Sequence, residues 1–274
     1  MIDVSAGARG LAALSLSAFL WQRRKAVWAS IGHEFANRYS GSLLGLFWIV
    51  LFPLLFLSIY VVVYSLVFRV RLPGGGVFDY VLYVFTGLVP YLAMMEAANL
   101  SAVAVRSNLS AIRSGLVPIE IVPARIAGVA IVSMSVGLVL VVVTSVWIER
   151  ISLNVLLLPA VLFFHAALFV GTACILSVLG ALVRDVAYVV NLASLMLLFL
   201  SPIAYTGAML PPGLWFLRDL NPVYYVIEAY RTALFNDSPV DWLPLLIFAV
   251  LSVLTLIAGA AILRRFKGIA TDNA

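Results

Sequence analysis

Long apolar runs separated by short polar stretches dominate the chain. Six of them carry almost no charge: 44–68, 80–105, 126–147, 153–183, 186–205 and 242–263. Each has the roughly 20 residues that a helix needs to cross about 30 Å of hydrocarbon. Because the runs are continuous rather than alternating, and because lipid offers no partner for backbone groups, they predict helices rather than barrel strands. The pattern therefore predicts an all-α polytopic membrane protein with six transmembrane helices.

A different periodicity precedes the first run. Over 19–42, apolar side chains recur at helical spacing and charged ones take other faces. This predicts an amphipathic helix on the membrane surface, with Glu34 and Arg38 spaced for an i,i+4 ion pair. The apolar stretch 10–21 has the length of a signal peptide, but its basic cluster follows it instead of preceding it, which indicates a retained segment.

The stretch SPIAYTGAMLPPGLWFLRDLNPVYYVIEAYRTALF (201–235) is apolar and aromatic, yet prolines and charges interrupt it. Pro202 ends or kinks the fifth span, and Asn221 followed by Pro222 predicts a capped helix start. The polar face of that helix comprises Tyr224, Glu228 and Arg231. Non-spanning structure at membrane depth is tolerated where protein or water surrounds it. We therefore expect two short re-entrant helices within 206–236.

Composition supports a single membrane domain over 1–274. The chain is 64% hydrophobic and 11% charged, whereas soluble domains carry about a quarter charged residues. The formal charge of +5 reports topology, not nucleic-acid binding, because basic residues concentrate on cytoplasmic loops. With six spans and an internal N-terminus, the external side holds only Arg69, Arg71, Arg150, Arg218 and Arg231 of the 17 Lys and Arg residues. Both termini are expected in the cytoplasm, and 206–236 outside.

No catalytic or metal-binding constellation stands out in the sequence. His33 and His165 have no acid or second histidine at ligand spacing, so His165 is expected to be a packed or hydrogen-bonded core residue. Cys174 is the single cysteine, which excludes an intrachain disulfide. A phosphate-binding GxxxxGK[ST] loop is absent, so the chain does not hydrolyse nucleotide by that route.

Two features carry candidate function. Glu96 is the one carboxylate inside a predicted span, and such a group is costly in hydrocarbon. It either serves the substrate or gating, or it reaches water, takes up a proton or pairs with an arginine. The segment 106–123 combines Asn108 or Ser110 as a possible cap, a short helix and two prolines. It is either a docking element or a simple connector.

Three stretches resemble the membrane subunits of type-2 ABC exporters, specifically the polysaccharide and polyol-phosphate export permeases. They are RYSGSLLGLFWIVLFPLL (38–55), RDV with the following span that ends in SPIAY (184–205), and LNPVYYVIEAYRTALF (220–235). Each is weakly specific alone, but together they occur in the family's order along the whole chain. The resemblance implies a homodimer in the cytoplasmic (inner) membrane of a bacterium, working with two copies of a separate ATPase that binds ATP and Mg²⁺. It also implies a lipid-linked glycan as the exported substrate.

The resemblance also implies roles for particular residues. The ATPase-coupling group comprises Arg106, Asn108, Ile112, Arg113 and Pro118, with Glu34 and Arg38 of the interface helix. The external gate comprises Pro211, Trp215, Asn221, Pro222, Tyr224, Tyr225, Glu228 and Arg231. A glycan conduit needs aromatic platforms and few charges, which suggests Trp48, Tyr60, Tyr64, Tyr83, Tyr91 and Glu96. These aromatic residues also fit the ordinary enrichment of Trp and Tyr at membrane interfaces.

The sequence is also compatible, to different degrees, with three other functions. A type-2 ABC exporter of a drug, haem or lipid differs little in sequence from a glycan exporter. A secondary transporter would be expected to show internal repeats with matching broken helices, and the break after the fifth span has no counterpart after the second. A membrane glycosyltransferase would be expected to carry clustered acids, but only Glu96 and Asp185 lie in or beside the spans.

Overall fold

The computed structural model describes residues 16–70, 72, 75–150, 152–206, 209–235 and 240–272, and the regular structure in those ranges is helical. The α-helices are α1 (Arg24–Tyr39), α2 (Trp48–Val61), α3 (Val77–Ser107), α4 (Leu109–Arg113), α5 (Ile121–Trp147), α6 (Leu158–Leu182), α7 (Val186–Leu200), α8 (Trp215–Asp219), α9 (Pro222–Leu234) and α10 (Trp242–Asp272). Short 3-10 turns cover Gly45–Phe47, Leu153–Leu157 and Pro212–Leu214, and a π-helical stretch, Val62–Val67, continues α2. Part of the predicted retained segment (10–15) and part of the predicted gate (207, 208 and 236) lie outside the described residues.

The all-α membrane fold predicted from the apolar runs is confirmed. Among the described residues, 5 segments are long and apolar enough to cross a bilayer: Gly45–Val67, Val77–Ser107, Ile121–Trp147, Leu153–Leu182 and Trp242–Lys267. The apolar helix α7 has 15 residues, which is about 22 Å of helix and less than the roughly 30 Å of a hydrocarbon core. The count of six spans therefore stays a prediction.

Two predicted boundaries are wrong. The apolar pattern extends the fifth span to residue 205, but α7 ends at Leu200 because Pro202 disfavours helical backbone at the residue before it. Ser201 accordingly has φ −80° and ψ 144°, an extended conformation. The interface helix is predicted to run to residue 42, but α1 ends at Tyr39 and Gly41 turns the chain with φ +77°.

Helix α3 lies at the centre of the bundle, where it packs against α2, α5, α6, α7 and α9. Two glycine contacts set how closely the spans approach. A Cβ at Gly180 of α6 would collide with the Ala102 carbonyl of α3, and a Cβ at Gly171 would meet the backbone of α10 at Thr255. Small residues at such crossings allow helix backbones to approach closely in membranes.

His165 lies in the core between these spans. Its Nδ1 lies 2.9 Å from the Tyr230 hydroxyl, and its ring stacks on Phe169. The prediction of a packed, hydrogen-bonded histidine is confirmed. Among the described residues there is also no group of three or more His, Cys, Asp or Glu side chains placed to hold a metal ion.

Candidate functional site

Helix α1 is fastened to the spans by three side chains on one of its faces. Ile31 packs against Gly128 of α5, where a Cβ would collide with its side chain. Glu34 forms an ion pair with Arg125 of α5, at 3.2 Å between Oε2 and Nε, and Arg38 pairs with Glu96 of α3. Residues spaced three and four apart share a helix face, so the three contacts all form on the side of α1 that faces the spans.

The predicted pair between Glu34 and Arg38 is therefore wrong. Each residue instead finds an opposite charge on a different span, where burial strengthens the attraction relative to the exposed helix surface. For Glu96, the structure realises the alternative in which an arginine neutralises the carboxylate. Burial raises the pKa of the neighbouring Tyr39 hydroxyl, so the phenol stays neutral beside this pair.

Beneath α1 lies a cavity of about 470 Å³. It is lined by Arg38, Tyr39, Trp48, Ile49, Phe52, Pro53, Val89, Leu92, Ala93, Met95, Glu96, Asn99, Leu100, Ser133, Met134, Gly137 and Asn191. These residues come from α1, α2, α3, α5 and α7, in the half of the bundle predicted to face the cytoplasm. Of the predicted path residues, Trp48 and Glu96 line this cavity, whereas the four tyrosines do not.

A chain of carboxamides and hydroxyls crosses one wall of the cavity. The Asn99 amide donates to the Ser194 hydroxyl at 3.2 Å, and the Asn191 amide donates to the Asn99 carbonyl oxygen at 3.4 Å. Sequence reasoning missed Asn99, Asn191 and Ser133 because it searched the apolar runs for charge alone. Uncharged polar side chains within an apolar run were the available signal, since these groups bond across helices in membranes.

The predicted path tyrosines do not line the cavity, and three of the four donate to backbone carbonyls of α7 or of the residues directly after it. Tyr60 donates to the Leu198 carbonyl at 3.2 Å and Tyr83 to the Tyr205 carbonyl at 3.1 Å, while Tyr91 donates to the carbonyl of Ser194. Tyr80, which was not among the predicted residues, donates to the Ala204 carbonyl at 2.9 Å. Tyr64 stacks against Tyr60 with ring centroids 5.5 Å apart.

The stretch 201–205, which we call the strap, is therefore held by donors from several elements. A helix end leaves carbonyls without intrahelical partners, and in a membrane protein those groups need other donors. Asn221 of α9 adds a bond from its amide to the Ser201 hydroxyl at 2.9 Å. Polar contacts thus join the strap to α3 and α9, while Tyr60 of α2 bonds the last turn of α7 just before it.

Arg231 is the most buried charged residue of the predicted gate, with 2% of its side chain exposed. Its guanidinium donates to the Glu228 carboxylate at 3.0 Å and to the Ile203 carbonyl at 2.8 Å. The same group lies 3.6 Å from the centre of the Tyr83 ring, a cation–π contact. Glu228 and Arg231, which the sequence places together on the polar side of this helix, form an ion pair, and α9 turns the guanidinium onto the strap.

Helices α8 and α9 give the predicted gate its local structure. The Asn221 side chain accepts a bond from the Val223 amide at 3.0 Å and Pro222 occupies the first turn, as predicted. Pro211 and Trp215 are exposed at the start of α8, whereas the apolar side of α9 is buried against α3, α6 and α10. The Tyr225 hydroxyl donates to the Asp219 carbonyl at 2.7 Å, and the Tyr224 ring packs against the Tyr225 ring. One helix therefore faces outward and the next is part of the bundle.

At the other end, the predicted coupling segment folds back on the bundle. The Arg106 guanidinium donates to the Gly180 carbonyl at 2.6 Å, and Ile112 packs on a cluster shared by α3, α5, α6 and α10. Asn108 does not cap α4 through its side chain as suggested, because its amide donates to the Ala104 carbonyl and closes the end of α3. Arg113 is left exposed beyond this packing, ahead of Pro118.

Comparison with known proteins finds relatives over most of the chain. Two proteins from Klebsiella pneumoniae, each named O-antigen export system permease protein RfbA, are 26% identical over 84% of this chain and 87% of their own length. A protein of the same name from Myxococcus xanthus is 22% identical over 89% of this chain and 93% of its own length. The family model described as ABC-2 type transporter matches residues 25–235, which run from α1 through the spans and the strap to the end of α9. A chain that matches over all of these elements belongs to the ABC-2 type transporter family.

Proposed function

We propose that this chain is the membrane subunit of an ATP-driven exporter that moves a lipid-linked polysaccharide across the cytoplasmic membrane. The observation that carries the proposal is the similarity, over more than four fifths of the chain, to permeases named for O-antigen export. The substrate's glycan and lipid parts differ in polarity, so its carrier must offer both wet and apolar surfaces. The polar groups of the cavity and the apolar spans beside it supply such surfaces.

The proposed assembly is a homodimer of this chain with two copies of a separate ABC ATPase, which carries the ATP and Mg²⁺. Membership of the ABC-2 family implies an ATPase partner. On this proposal the partner docks on 106–123, because Arg113 and Leu116 are exposed there while Ile112 and Arg106 anchor the segment to the bundle. Nucleotide binding would move this segment and, through α3, the strap and α9.

Copurification tests the assembly. The tagged chain is expected to retain the host's ABC ATPase through detergent extraction, and Leu116→Glu is expected to lower the retained ATPase about tenfold and to abolish glycan export. Leu116 is 78% exposed, so this change disturbs a docking surface rather than the core. Leu153→Glu is the matched control, because Leu153 is 85% exposed at the opposite end of the bundle. Transport by the purified chain in vesicles that contain no ATPase would contradict the proposal.

A further inference from the structure

The cavity beneath α1 has the size and lining of a binding site rather than a packing defect. At about 470 Å³ it falls within the range of roughly 300–1,000 Å³ typical of small-molecule sites. Its lining combines apolar side chains with a small number of convergent polar groups, as such sites do. Packed cores seldom leave a void larger than a water molecule, so a space of this size differs from an ordinary packing void.

Charge balance in the cavity disfavours an ionic ligand. Arg38 and Glu96 are the charged residues of the lining, and they neutralise each other. A phosphate or carboxylate entering the cavity would meet the Glu96 carboxylate and would have to displace it from Arg38. A cation would face the guanidinium in the same way. The electrostatics therefore select a neutral ligand.

Polar groups without protein partners indicate that the neutral ligand carries hydroxyls. Arg38 occupies Oε1 of Glu96, and the structure gives no protein donor to Oε2 among the described residues. The carbonyl oxygen of Asn191 and the hydroxyl of Ser133 likewise lack partners in the part of the chain that is described, although both residues line the cavity. An acyl chain would leave these groups facing hydrocarbon, at a cost of roughly 1–3 kcal/mol each. Sugar hydroxyls both donate and accept, and they match all three.

The opposite wall offers aromatic faces. Trp48 and Phe52 of α2 line the cavity with 38% and 44% of their surface exposed. An aromatic face carries negative charge density, which attracts the polarised C–H groups on the flat side of a sugar ring. A ligand that lies between this wall and Asn191 would therefore be apolar on one face and hydroxylated at its edge.

We propose that this cavity is a saccharide-binding site that holds one or two neutral sugar rings of the exported glycan before they enter the membrane path. The inference rests on the proposed function for the identity of the glycan. Trp48 and Phe52 supply the stacking face, while Glu96, Asn191 and Ser133 accept or exchange hydrogen bonds with the hydroxyls. Arg38 holds the Glu96 carboxylate in place beside the ligand.

Photo-crosslinking in cells tests the site whichever sugar the glycan contains. The photoreactive residue p-benzoylphenylalanine replaces Phe52, and in a separate variant it replaces Phe163, which is 69% exposed on α6 and does not line the cavity. After irradiation, mass spectrometry is expected to find sugar-bearing peptides from position 52 and not from position 163. These adducts are expected to disappear in cells that cannot synthesise the glycan. Adducts at position 52 that contain phospholipid alone would overturn the proposal.

Binding-wall variants supply an independent readout. Asn191→Leu is expected to lower the export rate about three- to tenfold, because one hydrogen bond of about 1 kcal/mol is lost, and to reduce the sugar adducts at position 52 in parallel. Asn191→Ser, which puts a hydroxyl in place of the carboxamide, is expected to retain more of both. Leu192→Ala changes an exposed neighbour on α7 outside the cavity and is expected to leave both unchanged. An unchanged yield of sugar adducts at position 52 in Asn191→Leu would contradict the proposed contact between Asn191 and the sugar.

Loss of the proposed function would look different. If cells without this chain still place the glycan on their surface, the export proposal fails whatever the crosslinks show. If export requires the chain but position 52 yields only lipid adducts, the saccharide site alone is wrong.

Discussion

Arg231 shows how one buried charge joins three parts of the bundle. Its compensation comes from Glu228 on the same helix, from the Ile203 carbonyl in the strap and from the Tyr83 ring on α3. Gly87 lies against this group: a Cβ there would be 3.4 Å from the guanidinium and 3.1 Å from the side chain of Ile227. Arginine suits this position because its planar fork can serve two acceptors while it stacks on a ring.

Removing this charge is expected to destabilise the folded chain. Arg231→Met leaves the Ile203 carbonyl and the Glu228 carboxylate without their donor, so we expect a loss of about 3–5 kcal/mol, measured as a lower melting temperature of the purified protein. The melting temperature of Arg231→Lys should fall between those of the unmodified protein and Arg231→Met, because an ammonium group cannot satisfy both acceptors and also stack on the ring. The control is Arg218→Met. Its pair with Asp219 is partly exposed, so the expected change is about 0–1 kcal/mol. Equal melting temperatures for the two methionine variants would contradict this account.

A second residue-scale prediction concerns helix approach. Gly180→Ala is expected to push α6 from α3 because the new methyl group meets the Ala102 carbonyl, at a cost of about 1–3 kcal/mol. Gly32→Ala on α1 is the matched change, since nothing lies within 4 Å of its would-be Cβ and alanine favours helix. The melting temperature should fall for the first variant and hold or rise for the second.

At the scale of elements, the predictions succeeded where local chemistry decides and failed where distant partners do. The capped start of α9 follows from Asn221 and Pro222 alone, which is why it was predictable. The partners of Glu34 and Arg38 were not, because Arg125 and Glu96 lie far along the chain. No local pattern predicts which carbonyl a tyrosine will hydrogen-bond across the bundle, so the donors to the strap were also missed.

The fastening of α1 yields an element-scale prediction. Glu34→Arg places two guanidinium groups together and is expected to loosen α1, whereas adding Arg125→Glu restores an ion pair with its charges reversed. Both residues are partly buried, so the double-mutant cycle should report a coupling of about 0.5–3 kcal/mol in thermal stability. Strictly additive losses in the double variant would show that the pair contributes nothing to holding the helix.

For the whole molecule, the number of times the chain crosses the bilayer depends on α7. Within the described residues, five segments are long and apolar enough to cross, and α7 decides whether the segments before and after it lie on opposite sides. Charge bias predicts that they do, with the strap, α8 and α9 on the external side. The single native cysteine, Cys174, is fully buried, so the unmodified chain provides a silent background for labelling.

Cysteine accessibility can count the spans. Cysteines replacing Leu153 or Trp215 are expected to react with a membrane-impermeant maleimide in intact spheroplasts, and cysteines replacing Arg113 or Arg184 only after lysis. All four native side chains are exposed, so burial does not limit the reaction. Labelling of positions 184 and 215 from the same side would mean that α7 does not cross.

The shortness of α7 has a consequence for the surrounding lipid. A helix of 15 residues presents an apolar side about 8 Å shorter than a typical hydrocarbon core. If α7 crosses the membrane, as the charge bias predicts, the bilayer beside its exposed residues Leu192 and Phe199 must thin, or the strap must lie at hydrocarbon depth. Because of this hydrophobic mismatch, the stability of the protein is expected to depend on the length of the lipid acyl chains. Shorter-chain lipids should stabilise the protein, and longer-chain lipids should strain the strap, where the fifth apolar segment breaks.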